Sequence, residues 1–334
     1  MLRQVVINST YRHNILWCVC IITTLFSATL SGCTPANVTQ SQESGVLSTY
    51  NNESSVAAKA TPQKGTRDNS SHIYIPSAPG NATEGDSIVA IDYSNINCGY
   101  ITLDYKGSNP KPKLQLTGPE GITYTFDIKN GSQVIPLTQS SGNYDITVHE
   151  NVSDDRYAMI YSTSLSSDMN NDYEAYLYPN VYVDFDASSQ VVKEATDLAY
   201  SANNDLDVVS SVFNYIIDNI SYDKEFAASV SNGYVPYPDN TLQSKKGICF
   251  DFASCMAAML RSQGIPTRLE IGYAGDVYHA WISTYIEDVG WVNGIIQFDG
   301  IDWELMDPTF SAKNGVKKVQ QYIDDGNYIT KYMY

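Results

Sequence analysis

Between Ser87 and Thr163 the chain alternates apolar and polar residues in short runs, the two-residue period of half-buried strands. Candidate strands are Ser87–Tyr93, Gly99–Tyr105, Pro112–Thr117, Ile122–Lys129, Gln133–Leu137, Tyr144–His149 and Tyr157–Thr163. Asn109-Pro110, Gly118-Pro119, Asn130-Gly131 and Ser141-Gly142-Asn143 fall between them and supply turn chemistry. Short strands at that spacing predict a small antiparallel β-sandwich over residues 86–165. No catalytic constellation sits in it. His149, at a strand end, reads as a surface histidine and Cys98 as a small buried hydrophobe.

Residues 166–186 read as a connector, with Tyr182-Val183-Asp184-Phe185 as a short strand. Beyond it, over residues 187–334, the period changes to that of helices followed by strands, an α+β pattern. Val191, Val192, Ala195, Leu198 and Ala199 make one helical stripe, capped by Ser188 or Ser189. Val208, Val209, Val212, Phe213, Ile216 and Ile217 make a second, capped by Asp205 or Asp207. A long loop with Gly233, Pro236 and Pro238 follows Tyr222-Asp223, a suitable wall for a cleft. A third helix opens after Gly247, with Phe252, Met256, Met259, Leu260 and Gln263 on one face, and ends at Gly264 and Pro266. Strands Thr267–Ala274 and His279–Glu287 come next, then a strand around Val292 and Ile295–Phe298. A last strand carries Trp303, Leu305 and Asp307 and stops at Pro308.

The N-terminal quarter of the chain is different. Ile15 to Leu30 is an apolar run preceded by Arg3 and Arg12 and by no acid, too short for a membrane-spanning helix and suited to a signal-peptide core. It ends in Leu30-Ser31-Gly32-Cys33, which fits a bacterial lipobox, so residues 1–32 are predicted to be removed and Cys33 lipidated. Residues 33–85 are rich in Ser, Thr, Asn, Gln, Gly and Pro, and predict a disordered tether. The net charge of −17 becomes more negative once the two arginines leave. Such acidity excludes nucleic acid as a partner and leaves the lipid to hold the membrane. The expected location is the extracytoplasmic side of the cell membrane.

Six cysteines then reduce to three, Cys98, Cys249 and Cys255, once the signal and the lipidated residue are set aside. Cys249 and Cys255 are six apart on one helix and point in different directions, so an unpaired thiol remains. Cys255 reads as core. Cys249 stands on the first helical turn, where free N–H groups and the helix dipole favour thiolate. Only four histidines occur, and one of them, His279, opens a strand that can reach that helix end. Asp307 can accept the second ring N–H of His279. Asp251 reads as a dipole partner, and Trp281 and Trp303 as packing residues. The Cys249 N–H is the natural first oxyanion donor, with Gln243 and Tyr222 as candidates for the second. Asp168, Asn170, Asp172 and Glu174 have calcium-ligand spacing, but no Gly occupies the turn position, so a solvated acidic loop is the better reading. No metal or other cofactor is predicted.

Gly247-Ile248-Cys249 opening a helix, Leu260-Arg261-Ser262-Gln263-Gly264-Ile265-Pro266-Thr267-Arg268, Gly272-Tyr273, His279-Ala280-Trp281 and Asp307-Pro308-Thr309 together resemble the bacterial transglutaminase-like superfamily, over roughly residues 187–312. The resemblance implies a papain-like α+β domain with Cys249 as nucleophile, His279 as general base and acid, and Asp307 as the orienting carboxylate. One departure is the longer connection Trp291–Asp302 between the His and Asp strands, which bears on the acceptor side of the cleft.

The leading functional expectation is a cell-surface, monomeric lipoprotein that attacks amide bonds of a protein or peptide, cell-wall peptide included, through a Cys249 thioester. Water as acceptor makes it a peptidase or amidase, and an amine makes it a crosslinking transglutaminase. Hydrolysis is favoured, because water needs no second binding site. The competing expectation is a catalytically idle binding or scaffolding lipoprotein that recognises a cell-wall or surface ligand.

Overall fold

Each predicted strand of the N-terminal region forms, because its alternating residues find two sheets to lie between. In the computed structural model the described residues are 62–274, 277–298, 303–305 and 328–334. The signal segment, Cys33 and most of the predicted tether lie outside them. Strands β1 (Thr83–Gly85), β2 (Val89–Asp92), β3 (Tyr100–Tyr105), β4 (Lys113–Thr117), β5 (Thr123–Asp127), β6 (Gly131–Pro136), β7 (Gly142–Ser153) and β8 (Arg156–Ser167) form two antiparallel sheets, ordered β1-β2-β3-β6 and β5-β4-β7-β8. Inward-facing Ile91, Ile101, Leu103, Leu114, Leu116, Phe126, Ile146 and Val148 are at most 1% exposed. Each such side chain contributes about 1.5–3 kcal/mol by leaving water.

His149 departs from its expectation. It is 2% exposed rather than on the surface. It follows a bulge in the β7–β8 register, and its Nε2 pairs with Thr147 Oγ1 at 2.8 Å. Cys98 is half-buried. The connector holds an isolated bridge between Asn180 and Val183 in place of a short strand.

The second half is built on helices α1 (Gln190–Ala199), α2 (Asp205–Asn219), α3 (Lys224–Ser229), α4 (Pro238–Ser244) and α5 (Cys249–Arg261). Helix α2 is capped by Asn204, whose side chain accepts the Asp207 N–H at 3.0 Å, rather than by either aspartate. The predicted loop after Asp223 contains α3, capped by Asp223, and α4, which starts on Pro238. Two-residue strands β9 (Ser221–Tyr222) and β10 (Lys246–Gly247) pair in parallel ahead of α5. The main sheet is antiparallel, ordered β14 (Trp303–Leu305), β13 (Gly290–Phe298), β12 (Val277–Ile286), β11 (Thr267–Ala274) and β15 (Tyr328–Met333). Helix α5 packs on β12 and β11, and Ala253, Ala257 and Ala258, all 0% exposed, permit the close approach.

The described residues form one compact unit with a continuous core. Strand β15 links its layers. Thr138 Oγ1 donates to Met333 O at 2.8 Å, and Met333 N–H donates to Tyr124 Oη at 3.3 Å. The Tyr334 ring packs on Tyr124, Phe126 and Tyr182 with centroids 4.6–5.8 Å apart.

The tether predicted through residue 85 does not extend that far. Gly65 N–H donates to Tyr200 O at 2.9 Å, Arg67 N–H to Ala202 O at 3.2 Å and His72 N–H to Ser262 O at 2.7 Å. These carbonyls lie at or just past the ends of α1 and α5, where helical partners run out. Arg67 adds an ion pair with Asp205 at 2.6 Å. Local composition does not encode this docking, because the acceptors lie more than a hundred residues away.

Candidate active site

The site is assembled around the start of α5. Pairing of Gly247 with Tyr222, and the Asp223 N–H donated to Gly247 O at 2.8 Å, set β9 beside the helix entry. Ile248 is the extended N-cap residue and has no side-chain acceptor. The capping role passes to Asp251, whose Oδ2 accepts the Ile248 N–H at 2.8 Å while Oδ1 accepts the Tyr234 hydroxyl at 2.6 Å. Asp251 is 3% exposed, and burial raises its carboxyl pKa against the lowering effect of these two donors. Tyr234 was not singled out by sequence. Its partner Asp251 was read as a dipole residue, and the buried hydrogen bond between them leaves no local signal.

Cys249 is therefore the first residue of α5 and is half-buried. Burial is the largest influence on its thiol and raises the pKa. The backbone N–H groups of Ala280 and Phe250, and the Tyr222 hydroxyl, act in the opposite direction by hydrogen bonding to the sulfur. Against the thiolate that the helix end favours, desolvation and the Asp251 charge act to raise the thiol. Tyr222 has its phenol pushed up to about 12, first by burial and then by the neighbouring sulfur, and it takes a hydrogen bond from the Cys249 backbone N–H. Of the two candidate oxyanion donors, Tyr222 lies at Cys249, whereas Gln243 is exposed on α4.

His279 pairs with Gly272 across β11–β12 and is 5% exposed. Burial lowers its imidazole to about 4. Its ring lies 6.4 Å from Trp281, centroid to centroid, at 26°. Gly272 has its own reason to be glycine: a Cβ there would stand 1.9 Å from Ile329 O of β15. Helix α5 packs on β12, and the Ala280 N–H that influences the Cys249 thiol directly follows His279. Asp307 lies outside the described residues. Cys255 is fully buried on α5.

The Asp168–Glu174 segment is engaged internally. Asn170 Nδ2 donates to Glu174 Oε2 at 3.0 Å, and Asp172 Oδ2 accepts Trp291 Nε1 at 3.0 Å. Among the described residues no three His, Cys, Asp or Glu side chains converge as metal ligands. Among them, too, no helix is long and apolar enough to cross a membrane.

Residues 193–294 match the transglutaminase-like superfamily. The chain is 27% identical over 191 residues to the uncharacterized protein YebA of Bacillus subtilis, an alignment covering 49% of this chain and 25% of that protein. The chain thus spans about a quarter of that curated relative's length. Among solved structures it is similar to a candidate cysteine protease from Cytophaga hutchinsonii, at 16% identity and TM-score 0.32, covering 58% of this chain and 73% of the other. It is also similar to red sea bream transglutaminase, at 14% identity and TM-score 0.25, covering 57% and 47%.

Proposed function

Taking residues 193–294 as a transglutaminase-like domain, we propose that this protein is a thiol acyl-transfer enzyme acting on amide bonds. Cys249 Sγ attacks the amide carbonyl while His279 takes the thiol proton. The carbonyl oxygen becomes an oxyanion, received by the Cys249 N–H and the Tyr222 hydroxyl. Collapse breaks the C–N bond, His279 returns the proton to the leaving amine, and a thioester stays on Cys249. Water, deprotonated by His279, then releases the acyl group as a carboxylic acid and regenerates the thiol. An amine in place of water gives a crosslink. Hydrolysis is the favoured outcome, since water requires no further site. Asp307 orients His279 and stabilises its charged form.

The observation that carries this reading is the place of Cys249 as first residue of α5, with the Ala280 N–H, one residue from His279, acting to lower its thiol. Burial keeps thiol and imidazole neutral at rest, so proton transfer accompanies attack. The same proposal places the enzyme on the cell surface, anchored through lipid at Cys33 and acting as a monomer on protein or peptide substrates.

Iodoacetamide labelling with mass-spectrometric mapping tests the thiol. Cys249 should label in preference to Cys98, and His279→Ala should abolish that preference. Equal labelling of Cys98 and Cys249 counts against activation. Parallel assays of peptide hydrolysis and of amine incorporation assign the acceptor. If Cys249→Ser leaves both assays and the cellular role unchanged, the binding-protein reading replaces this one.

A further inference from the structure

The sandwich and the five-stranded sheet border a half-open cavity of about 360 Å³, lined by Thr138, Gln139 and Ser140 after β6, by Asp172 and Tyr176 of the connector, and by Arg268 on β11. Arg268 is half-buried, with its guanidinium 3.5 Å from the Trp291 ring centroid and 5.0 Å from that of Tyr176. Among the described residues no carboxylate lies within ion-pair distance of it. Its Nε is buried without a hydrogen-bond partner. Glu270, two residues along the same strand face, accepts from Thr330 Oγ1 at 2.7 Å instead.

A cation partly withdrawn from water and left without a counter-ion is costly, and ring stacking worth about 0.5–2 kcal/mol does not replace the missing anion. Stacking on Trp291 covers a face of the guanidinium, and the Tyr176 ring, at 86° to the Trp291 ring, stands toward its edge; the buried, unpartnered Nε side of the planar fork is left for a ligand. That geometry matches a carboxylate. Glu120 and Asp172 border the same cavity and repel any anion, a doubly charged phosphate about twice as strongly as a singly charged carboxylate. We propose that this cavity is a binding site for a singly charged carboxylate, gripped by Arg268. It is separate from the thiol site: His279 pairs with Gly272, four residues from Arg268 along β11, or roughly 13 Å at about 3.3 Å per residue. The proposal goes beyond the acyl-transfer reading and does not depend on it. A free small acid and the C-terminal end of a peptide present the same group.

Isothermal titration of the full chain with acetate, acetyl-trialanine and acetyl-trialanine amide tests this, with inorganic phosphate as the competing anion. At least one carboxylate should bind saturably, with the amide at least tenfold weaker. Acetate equal to the peptide acid identifies a free small acid; a much tighter peptide acid identifies a chain end. Arg268→Gln should weaken binding at least tenfold, and Ser140→Trp, which fills the cavity without touching the stack, should do the same if Arg268→Gln fails to fold. Cys249→Ala should bind as the native chain does, so loss of the thiol chemistry would leave this result standing. The proposal is overturned by equal binding of acid and amide, by no binding of either acid, by tighter binding of phosphate, or by undiminished binding in a folded variant.

Discussion

A β-carbon on Gly247 would stand 2.6 Å from the Cβ of Asp251, so the two residues fix each other and set the first turn of α5. Gly247→Ala must push Asp251 off the Ile248 N–H that it accepts at 2.8 Å. The expected cost is about 1–3 kcal/mol of stability, together with slower alkylation of Cys249. Thermal melts and timed labelling measure the two effects. A variant that melts and labels like the native chain would refute the link between cap and nucleophile.

The Cys249 thiol is raised by burial and the His279 imidazole is lowered to about 4. Without substrate, alkylation of Cys249 should therefore accelerate with pH up to and past the ordinary thiol value of 9.0. A stopped-time iodoacetamide profile reads this directly. A plateau already reached in mildly acidic buffer would mean a standing thiolate–imidazolium pair instead.

Tyr222 has one oxygen and two relationships with Cys249, to its sulfur and to its backbone N–H. Tyr222→Phe keeps the ring and removes the oxygen. Turnover, as kcat/KM on a peptide amide, should fall roughly 100-fold, the scale of losing one oxyanion donor. The melting temperature should change little. A fall caused by KM alone would reassign Tyr222 to substrate binding.

Acid should destabilise the fold through two buried histidines. Both His149 and His279 have folded pKa values below the ordinary 6.5, so the unfolded chain takes up protons first. Their contribution is complete above pH 6.5 and is lost as pH falls toward 4, by about 3 kcal/mol for His279. Urea melts across that interval should show the loss, and His149→Leu should flatten part of it. A flat profile would place these rings in contact with solvent.

Arg261 is fully buried and makes its hydrogen bonds to main-chain carbonyls: Thr267 at 2.9 and 2.8 Å, Tyr178 at 2.7 Å and Tyr334 at 2.6 Å. Burial lowers its pKa to about 9. Arg261→Met keeps much of the volume but strands those acceptors, at a cost of about 3 kcal/mol or more. Denaturant unfolding gives the number. A loss under 1 kcal/mol would mean that water takes over the carbonyls.

What could be read from sequence was what repeats locally. The alternation in Leu114–Leu116 and Tyr124–Phe126 fixed inward faces before any partner strand was known. The Gly247-x-Cys249 opening placed the cysteine at a helix start. What escaped depends on distant residues. The chain from Gly65 to His72 looks like solvated linker until the helix ends at Tyr200 and Ser262 accept its N–H groups. Arg261 stands out in the sequence only as part of the Leu260–Arg268 motif, and its acceptors come from three separate segments. The surroundings of Cys249 divide in the same way. A helix start is visible locally, whereas desolvation under β12 belongs to the assembled fold.

Strand β15 has a consequence in time. Tyr124 is synthesised 209 residues before the Met333 N–H that it accepts, and Thr138 195 residues before the Met333 carbonyl that it binds. At translation rates of about 5–20 residues per second that interval is roughly 10–40 s. Throughout it, one aromatic flank of the nascent sandwich lacks its covering strand. A clasp made so late leaves the newborn chain dependent on whatever shields that flank until the latch arrives.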